Sequence, residues 1–175
     1  TILESVDVSE KEIVTLMDCV ETVAEEDVEG METHGHAHDH DDEDPTAADG
    51  DHDHEEAEQD EHVWTSPRNA VRIAEKLRDA LIAVDPENAG DYTQNAADYI
   101  DRLNRLDQEF QETVDTAKRH TIILGDRFPF RYLADAYGLD YYAAFPGCSS
   151  ESEASAKTIA FLIDKVKEEK IPVVF

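Results

Sequence analysis

The chain has 175 residues, and its 43 Asp and Glu against 15 Lys and Arg give a formal net charge of -28 at pH 7. Such acidity repels phosphate backbones and anionic lipid headgroups, so nucleic acid and bilayer surfaces are not expected as partners, whereas cations are. The hydrophobic content of 40% supports a folded core, and no apolar run reaches the roughly 18 residues that a membrane-spanning helix needs.

Residues 1–66 are predicted to form the end of a first lobe. Residues 13–17, Ile-Val-Thr-Leu-Met, are apolar and β-branched enough for a buried strand, although the preceding Ser-Glu-Lys-Glu resembles a helix capping box. Residues 25–61 are poor in large apolar side chains and rich in Asp, Glu, His and Gly. Such a composition cannot offset the entropy of ordering the backbone, so these residues are predicted to be a mobile loop.

Residues 67–119 are predicted to form two helices. Ser66 and Pro67 are typical of an N-cap and a first helical residue, and Asp85-Pro86 repeats the signal. The apolar residues of the first helix share one face: Val71, Ala74, Leu77, Leu81 and Val84. Apolar residues then recur at three-four spacing up to Lys118, which predicts a helix of roughly 50 Å at 1.5 Å per residue. Such a helix is long enough to act as a rigid connection between two lobes.

Residues 120–175 alternate apolar runs with amphipathic segments. Strands are predicted at 121–124, 141–145 and 172–175, with helices at 130–137 and near 156–166. This βαβαβ order indicates a parallel sheet, in which ligands bind beyond the carboxyl ends of the strands. Residues 125–128 and 146–153 should therefore face a functional cleft, whereas His120, at the opposite end of the first strand, is a poor ligand candidate. Because the chain opens on Thr1 and stops within a strand, we expect it to be an internal piece of a longer protein.

Seven of the eight histidines lie between residues 34 and 62. Six of them offer imidazole nitrogens at close spacing among carboxylates that concentrate cations: His34, His36, His38, His40, His52 and His54. This pattern predicts metal capture, with a merely solvated acidic loop as the alternative. Because the loop would have to be ordered on binding, it should hold metal loosely and exchange it quickly.

His62 differs from the loop histidines in its sequence context. It lies two residues before Trp64 and four before the helix start at Ser66, so packing can fix its backbone, as a specific metal site requires. By itself, a single histidine before a helix is more often structural than a ligand. Elsewhere, Cys19 and Cys148 could form a disulfide in an oxidising compartment or remain two buried thiols.

The histidine-rich and acidic segment is followed by Asp60-Glu61-His62-Val63-Trp64-Thr65-Ser66-Pro67-Arg68-Asn69-Ala70, a long helix and a βαβ unit. This combination resembles the metal-binding proteins of zinc and manganese ABC transporters, over essentially the whole chain as their middle portion. The resemblance implies an α/β fold of two parallel-sheet lobes bridged by a long rigid helix, incomplete at both ends here. It implies that His62 is a metal ligand, and the histidine-rich loop favours Zn²⁺ over Mn²⁺.

The chain departs from the family pattern in the second lobe. The family's ligand there, usually His or Glu, falls at Arg127 when counted back from Ala136-Tyr137-Gly138-Leu139 and at Asp126 when counted forward from the strand. A guanidinium cannot coordinate, so Arg127 in the cleft would pair with an acid or shield an incomplete site, whereas Asp126 would supply oxygen in place of nitrogen. Glu153 resembles part of the family's acidic stretch or is a solvated acid at a helix N-terminus. Cys148 is a less favoured thiolate ligand.

The resemblance implies a solute-binding protein rather than an enzyme. It would capture Zn²⁺, or alternatively Mn²⁺, outside the cytoplasm and deliver it to an ABC transporter permease, as a monomer that is periplasmic or attached to the cell surface only by a lipid anchor. Two other functions stay open: a metal-buffering or acidic interaction protein without a tight site, and a zinc hydrolase. The latter needs three ligands, an open coordination position and a general base, and the sequence has no H-E-x-x-H cluster.

Overall fold

The computed structural model describes residues 7–9, 11–31, 58–150 and 153–175. In chain order the main elements are α1 (Pro67–Val84), α2 (Ala89–Thr116), β1 (Thr121–Phe128), α3 (Arg131–Tyr137), β2 (Asp140–Pro146) and α4 (Ala156–Glu168). Short 3₁₀ turns cover Leu16–Cys19, Val63–Thr65 and Pro86–Asn88. The described residues therefore combine a helical pair with a β-α-β-α unit.

β1 and β2 form the parallel pair that the sequence predicts. The pairing runs from Thr121 opposite Asp140 to Leu124 opposite Ala143, shifts by one residue, and resumes with Arg127 opposite Phe145. β1 thus continues through residues 125–128, which the sequence placed beyond the strand. Residues 172–175 are not a regular strand, but Phe175 makes the two hydrogen bonds of a parallel pair with β1, donating to Ile123 (3.0 Å) and accepting from Gly125 (2.8 Å).

The predicted helix boundaries are close to the observed ones. α1 begins at Pro67 as predicted, although the Ser66 side chain makes no capping hydrogen bond. The long helix is shorter than predicted, because residues 86–88 form a 3₁₀ turn and the 28-residue α2 ends at Thr116, for a length of roughly 42 Å. α3 ends at Gly138, whose positive φ of 64° is the left-handed conformation that glycine adopts readily. None of the helices in the described ranges is long and apolar enough to cross a membrane.

Arg68 joins the three helices α1, α2 and α3. From α1 its guanidinium donates to Asp107 Oδ1 (2.8 Å) and Gln111 Oε1 (2.8 Å) on α2 and to the Ala136 carbonyl oxygen (2.7 Å) on α3. It also lies over the Tyr137 ring, 4.9 Å from the centroid, while the Tyr137 hydroxyl donates to the same Asp107 oxygen (2.8 Å). These bonds hold α3 against the pair of helices α1 and α2.

The predicted strand at residues 13–17 is wrong. Residues 11–15 are irregular and Leu16–Cys19 is a 3₁₀ turn. Leu16, Met17 and Cys19 instead pack, together with Val20 and Val23, against a buried cluster of Val63, Ile73 and Tyr132. Among the described residues the segment has no neighbouring strand to pair with, so its apolar side chains are buried by side-chain packing alone.

The limits predicted for the mobile loop, residues 25–61, are too wide. Ala24 and Gln59 form an antiparallel bridge, flanked by hydrogen bonds from Glu25 N to Glu58 O (2.8 Å) and from Asp60 N to Val23 O (2.9 Å). On one side of this bridge, Met31 is buried against β1, β2 and α3. Residues 25–31 and 58–61 therefore belong to the packed structure, whereas residues 32–57, with all six loop histidines, lie outside the described residues.

The Tyr137–Asp107 contact predicts a pH dependence of stability. Burial, followed by the hydrogen bond to Asp107, raises the pKa of Tyr137 above its ordinary value of 10. A hydroxyl whose pKa is raised by folding contributes stability that is complete below pH 10 and is lost as the pH rises further. We expect Tyr137→Phe to lower the free energy of unfolding by about 1–3 kcal/mol at pH 7, because the Asp107 carboxylate loses a donor. It should also lose less stability than the wild type between pH 9 and 11.

Urea denaturation at pH 7, 9 and 11 measures both effects. Tyr99→Phe is the matched control, since the Tyr99 side chain is half exposed, and it should leave the profile unchanged. An alkaline loss of equal size in wild type and Tyr137→Phe would contradict the prediction.

Candidate metal site

The backbone of His62 is fixed by the turn that follows it. Thr65 donates to the His62 carbonyl oxygen from its amide (3.1 Å) and from its hydroxyl (2.8 Å), which closes the 3₁₀ turn ahead of α1. Val63 has no exposed surface and packs with Ile73 of α1 and Tyr132 of α3. The backbone of His62 is therefore held by this turn and by the packing of Val63, as predicted from its position before Trp64 and Ser66.

The His62 side chain is oriented by Asp60. The Asp60 residue is 1% exposed, and its Oδ1 accepts a hydrogen bond from the His62 backbone N (2.7 Å) and lies 3.0 Å from His62 Nδ1. The Asp60 carbonyl oxygen in turn accepts from the Tyr132 hydroxyl (2.7 Å). The imidazole retains 22% exposure, and Nε2 takes part in no hydrogen bond among the described residues. One ring nitrogen is thus engaged by a buried carboxylate, and the other is available to a ligand.

Gly147, in the loop after β2, lies against the His62 ring. A Cβ atom at Gly147 would lie 3.3 Å from His62 Nδ1 and Cε1 and 3.0 Å from the Phe128 carbonyl oxygen. The Trp64 ring lies near the same imidazole, with the ring centroids 5.6 Å apart. His62 therefore sits at the carboxyl edge of the β1–β2 sheet, where the order of the elements predicted a functional cleft.

Asp126 and Arg127 occupy the bulge in β1. Gly125 and Asp126 lie between Leu124 and Arg127, where the pairing of β1 with β2 shifts by one residue. A bulge of this kind changes the directions in which successive side chains point. The Asp126 side chain is 75% exposed and accepts from the Arg127 amide (2.8 Å). The Arg127 Nε donates to the Ser149 carbonyl oxygen (2.6 Å), and its guanidinium lies 5.9 Å from the Phe145 ring centroid. Arg127 thus holds the loop at residues 147–149 next to His62. The exposed carboxylate of Asp126 has the oxygen atoms that a metal ligand needs.

Cys19 and Cys148 are free thiols in the structure, the first half-buried and the second exposed. Cys19 Sγ donates to the Thr15 carbonyl oxygen (3.4 Å) because the thiol lies in the 3₁₀ turn. Cys148 is exposed, its amide donates to Glu25 Oε1 (2.8 Å), and desolvation raises the pKa of its thiol. A raised pKa disfavours the thiolate that metal binding requires.

The remaining candidates lie apart from His62 or outside the described residues. Glu153 is exposed ahead of α4, and exposed His120 precedes β1, at the edge of the sheet opposite Gly147, as predicted. Within residues 7–9, 11–31, 58–150 and 153–175, no three His, Cys, Asp or Glu side chains are grouped closely enough to enclose a metal ion. The described residues therefore supply an oriented imidazole and a nearby carboxylate rather than a complete coordination shell.

The sequence reasoning missed Asp60, Tyr132 and Gly147. A signal existed for Asp60, because an acid two residues before a fixed histidine can reach back to its ring and backbone N–H, as in an Asx turn. No local signal marks Tyr132 and Gly147, which reach His62 only through packing across the chain.

The structure is that of an α/β protein with an oriented histidine at the carboxyl edge of its parallel strands, and comparison with known proteins gives its family. Residues 2–175 match the family described as ZnuA, zinc-uptake complex component A, periplasmic, and the chain belongs to that family. It is 38% identical over 118 residues to the zinc-binding lipoprotein AdcA of Streptococcus pneumoniae, which covers 67% of this chain and 23% of AdcA. It is 33% identical over 116 residues to the iron-binding protein YfeA of Yersinia pestis, covering 65% of this chain and 37% of YfeA.

Solved structures show the same relationship. The Zn(II)-bound ZnuA-like domain of S. pneumoniae AdcA matches with 37% identity and a TM-score of 0.55, over 66% of this chain and 43% of that one. The metal-dependent lipoprotein YcdH of Bacillus subtilis matches with 32% identity and a TM-score of 0.57, over 66% and 43%. The chain thus spans less than half the length of these relatives. The predicted family and its α/β fold of parallel strands and a long connecting helix are confirmed, as are zinc as the metal of the AdcA relatives and the extracytoplasmic location of the family.

The close approach of Gly147 to His62 gives a testable expectation. In Gly147→Ala the new Cβ meets a backbone oxygen at 3.0 Å and the imidazole at 3.3 Å, so the loop or the ring must move. Overpacking of this kind typically costs about 1–3 kcal/mol, which urea denaturation would detect.

Gly90→Ala is the matched control, because it lies in α2 and a Cβ there would meet nothing within 4 Å. That variant should gain about 0.5–1 kcal/mol from the higher helix propensity of Ala. Equal effects of the two substitutions would mean that Gly147 is not packed against the site.

Proposed function

We propose that this chain is the central part of an extracytoplasmic solute-binding protein that captures Zn²⁺ and delivers it to the permease of an ABC importer. The observation that carries the proposal is the orientation of His62, whose ring is held by buried Asp60 while Nε2 remains available at the carboxyl edge of the sheet. Membership of the zinc-uptake family and the zinc-binding relatives support it. No covalent chemistry is involved, since the metal is cargo.

The arrangement fits a borderline-soft ion that accepts both nitrogen and oxygen donors. An imidazole suits zinc, and a carboxylate such as Asp126 would complete the shell with oxygen, at the expense of some preference for zinc over Mn²⁺. The remaining ligands would come from residues outside those described. Arg127 is one of the two residues, with Asp126, at which the family pattern places a ligand; its guanidinium can only donate hydrogen bonds, so we assign it to the support of the 147–149 loop.

The six histidines between residues 34 and 54 would form a second, weaker class of sites. Their closely spaced imidazoles and the surrounding acids favour the capture of dilute metal near the cleft. The bridge between Ala24 and Gln59 supports this role, because it fixes the chain next to Asp60 and His62 directly after the histidine-bearing segment. The protein would act as a monomer, attached to a membrane by lipid alone.

Replacement of His62 tests the specific site. In the full-length protein, His62→Ala should weaken the tightest zinc-binding site by more than 100-fold, beyond the 10- to 100-fold typical of losing a residue that only supports a ligand. Competition titration against a zinc chelator measures this constant. His120→Ala, which removes an exposed histidine at the opposite edge of the sheet, should leave it unchanged. An unaltered constant in His62→Ala would refute the assignment.

Replacement of the loop histidines tests the second class of sites. Changing the six residues to Asn should leave the tightest dissociation constant within a few fold, remove the weak zinc sites seen by calorimetry, and slow zinc acquisition at low concentration in stopped-flow measurements. His120→Asn, the same substitution at an exposed histidine outside the segment, serves as the control. Loss of the tight site in the loop variant would reverse the proposed hierarchy and favour a buffering protein.

A further inference from the structure

We infer that Asp60 is a positioning residue that holds His62 as its Nδ1–H tautomer and so presents the lone pair of Nε2 to the metal. The inference rests on the proposed role of His62 and adds the group that decides which ring nitrogen binds. It follows from three contacts around a fully buried carboxylate.

The first contact fixes the chemical role of Asp60 Oδ1. This oxygen accepts the backbone N–H of His62 at 2.7 Å, so it is turned towards His62 as an acceptor. The same oxygen lies 3.0 Å from Nδ1. A neutral imidazole carries one proton, and it gains a hydrogen bond here only if that proton is on Nδ1. Nε2 then carries the lone pair.

The second contact holds Asp60 itself. The Tyr132 hydroxyl donates to the Asp60 carbonyl oxygen (2.7 Å), and Asp60 N donates to the Val23 carbonyl oxygen (2.9 Å). With 1% of its surface exposed, the Asp60 residue is shielded from water that would compete for the imidazole. The position of the carboxylate is therefore set by α3 and the 20–31 segment, independently of any metal.

The third contact is with Gly147 and closes one edge of the ring, while the contact with Asp60 disfavours the alternative ring orientation. Gly147 lies against the Nδ1 and Cε1 edge of the imidazole, where a Cβ atom on the glycine would lie 3.3 Å from either atom. Rotating the ring by half a turn would separate Nδ1 from Asp60 and leave the buried carboxylate without its side-chain donor, which is costly. Ring orientation and tautomer are thus selected together.

The test uses a background in which the six loop histidines are Asn, so that His62 and His120 are the two histidines left. Two-dimensional ¹H–¹⁵N NMR of the imidazoles at pH 8 without metal reports the tautomer. We expect the wild-type background to show His62 protonated on Nδ1, and Asp60→Ala to shift it towards the Nε2–H form that predominates in free histidine. Zinc affinity of the full-length protein should fall 10- to 100-fold in Asp60→Ala.

Two further variants separate positioning from general loss of structure. Asp60→Asn keeps an acceptor oxygen facing the His62 amide, so it should retain the Nδ1–H tautomer while zinc affinity falls less than in Asp60→Ala. Tyr132→Phe removes the hydroxyl that binds the Asp60 backbone but leaves the carboxylate in place, and it should lower stability without changing the tautomer. If Asp60→Ala does not fold, Asp60→Leu, which is of similar size and has no acceptor, decides, and retention of the Nδ1–H form in it would overturn the inference.

The outcomes also separate this inference from the function on which it rests. Unchanged tautomer and zinc affinity in Asp60→Ala, with zinc affinity lost in His62→Ala, would overturn the role of Asp60 alone. Unchanged zinc affinity in His62→Ala would overturn the proposed function and this inference with it. A tautomer shift together with a 10- to 100-fold loss of affinity in Asp60→Ala supports both.

Discussion

The hydrogen bond from the Tyr132 hydroxyl to the Asp60 carbonyl oxygen ties the segment that carries His62 to α3. This bond joins α3, in the β-α-β-α unit, to the segment that precedes α1, and it lies beside the buried contact between Val63 and the Tyr132 ring. The same hydroxyl accepts the Val23 amide (3.3 Å), so one side chain holds both strands of the bridge that flanks the histidine-bearing segment. A ligand placed in this way is oriented before metal arrives, and little reorganisation is needed on binding.

The bulge in β1 explains why the second-lobe ligand position could not be read from the sequence. Counting forward from the strand gives Asp126 and counting back from α3 gives Arg127, one residue apart. The pairing of β1 with β2 also shifts by one residue between Leu124 and Arg127, so each count fits the part of the strand from which it starts. A bulge depends on pairing with β2, which is not a local property of residues 121–128. The Arg127 side chain donates to the Ser149 carbonyl oxygen. A side chain that cannot bind metal thus contributes a contact that shapes the loop next to His62.

Most of the fold could be predicted because its signals are local. Ser66-Pro67 marks the start of α1, Gly138 the end of α3, and apolar periodicity the extent of α2 to within a few residues. The failures have tertiary causes. Residues 13–17 have the composition of a strand, but Leu16 and Met17 pack against the cluster around Val63 instead, and Ile13 stays exposed. Residues 25–31 are anchored by Met31 in a core formed mainly by β1, β2 and α3. Within the site, the motif identified His62, whereas Tyr132 and Gly147 are distant in sequence and become neighbours only on folding.

The antiparallel bridge between Ala24 and Gln59 also bears on how this protein can vary among relatives. Ala24 and Gln59 pair with each other, so the chain between them closes as a loop. The free energy of loop closure grows with the logarithm of loop length, and doubling the length costs about 0.6 kcal/mol. Insertions, deletions and repeats of histidine could therefore accumulate there while the Asp60 and His62 geometry stays unchanged. Under the proposed function, the collection of metal and the specific site would then vary as separate traits, one through the length of a segment and the other through a few buried contacts.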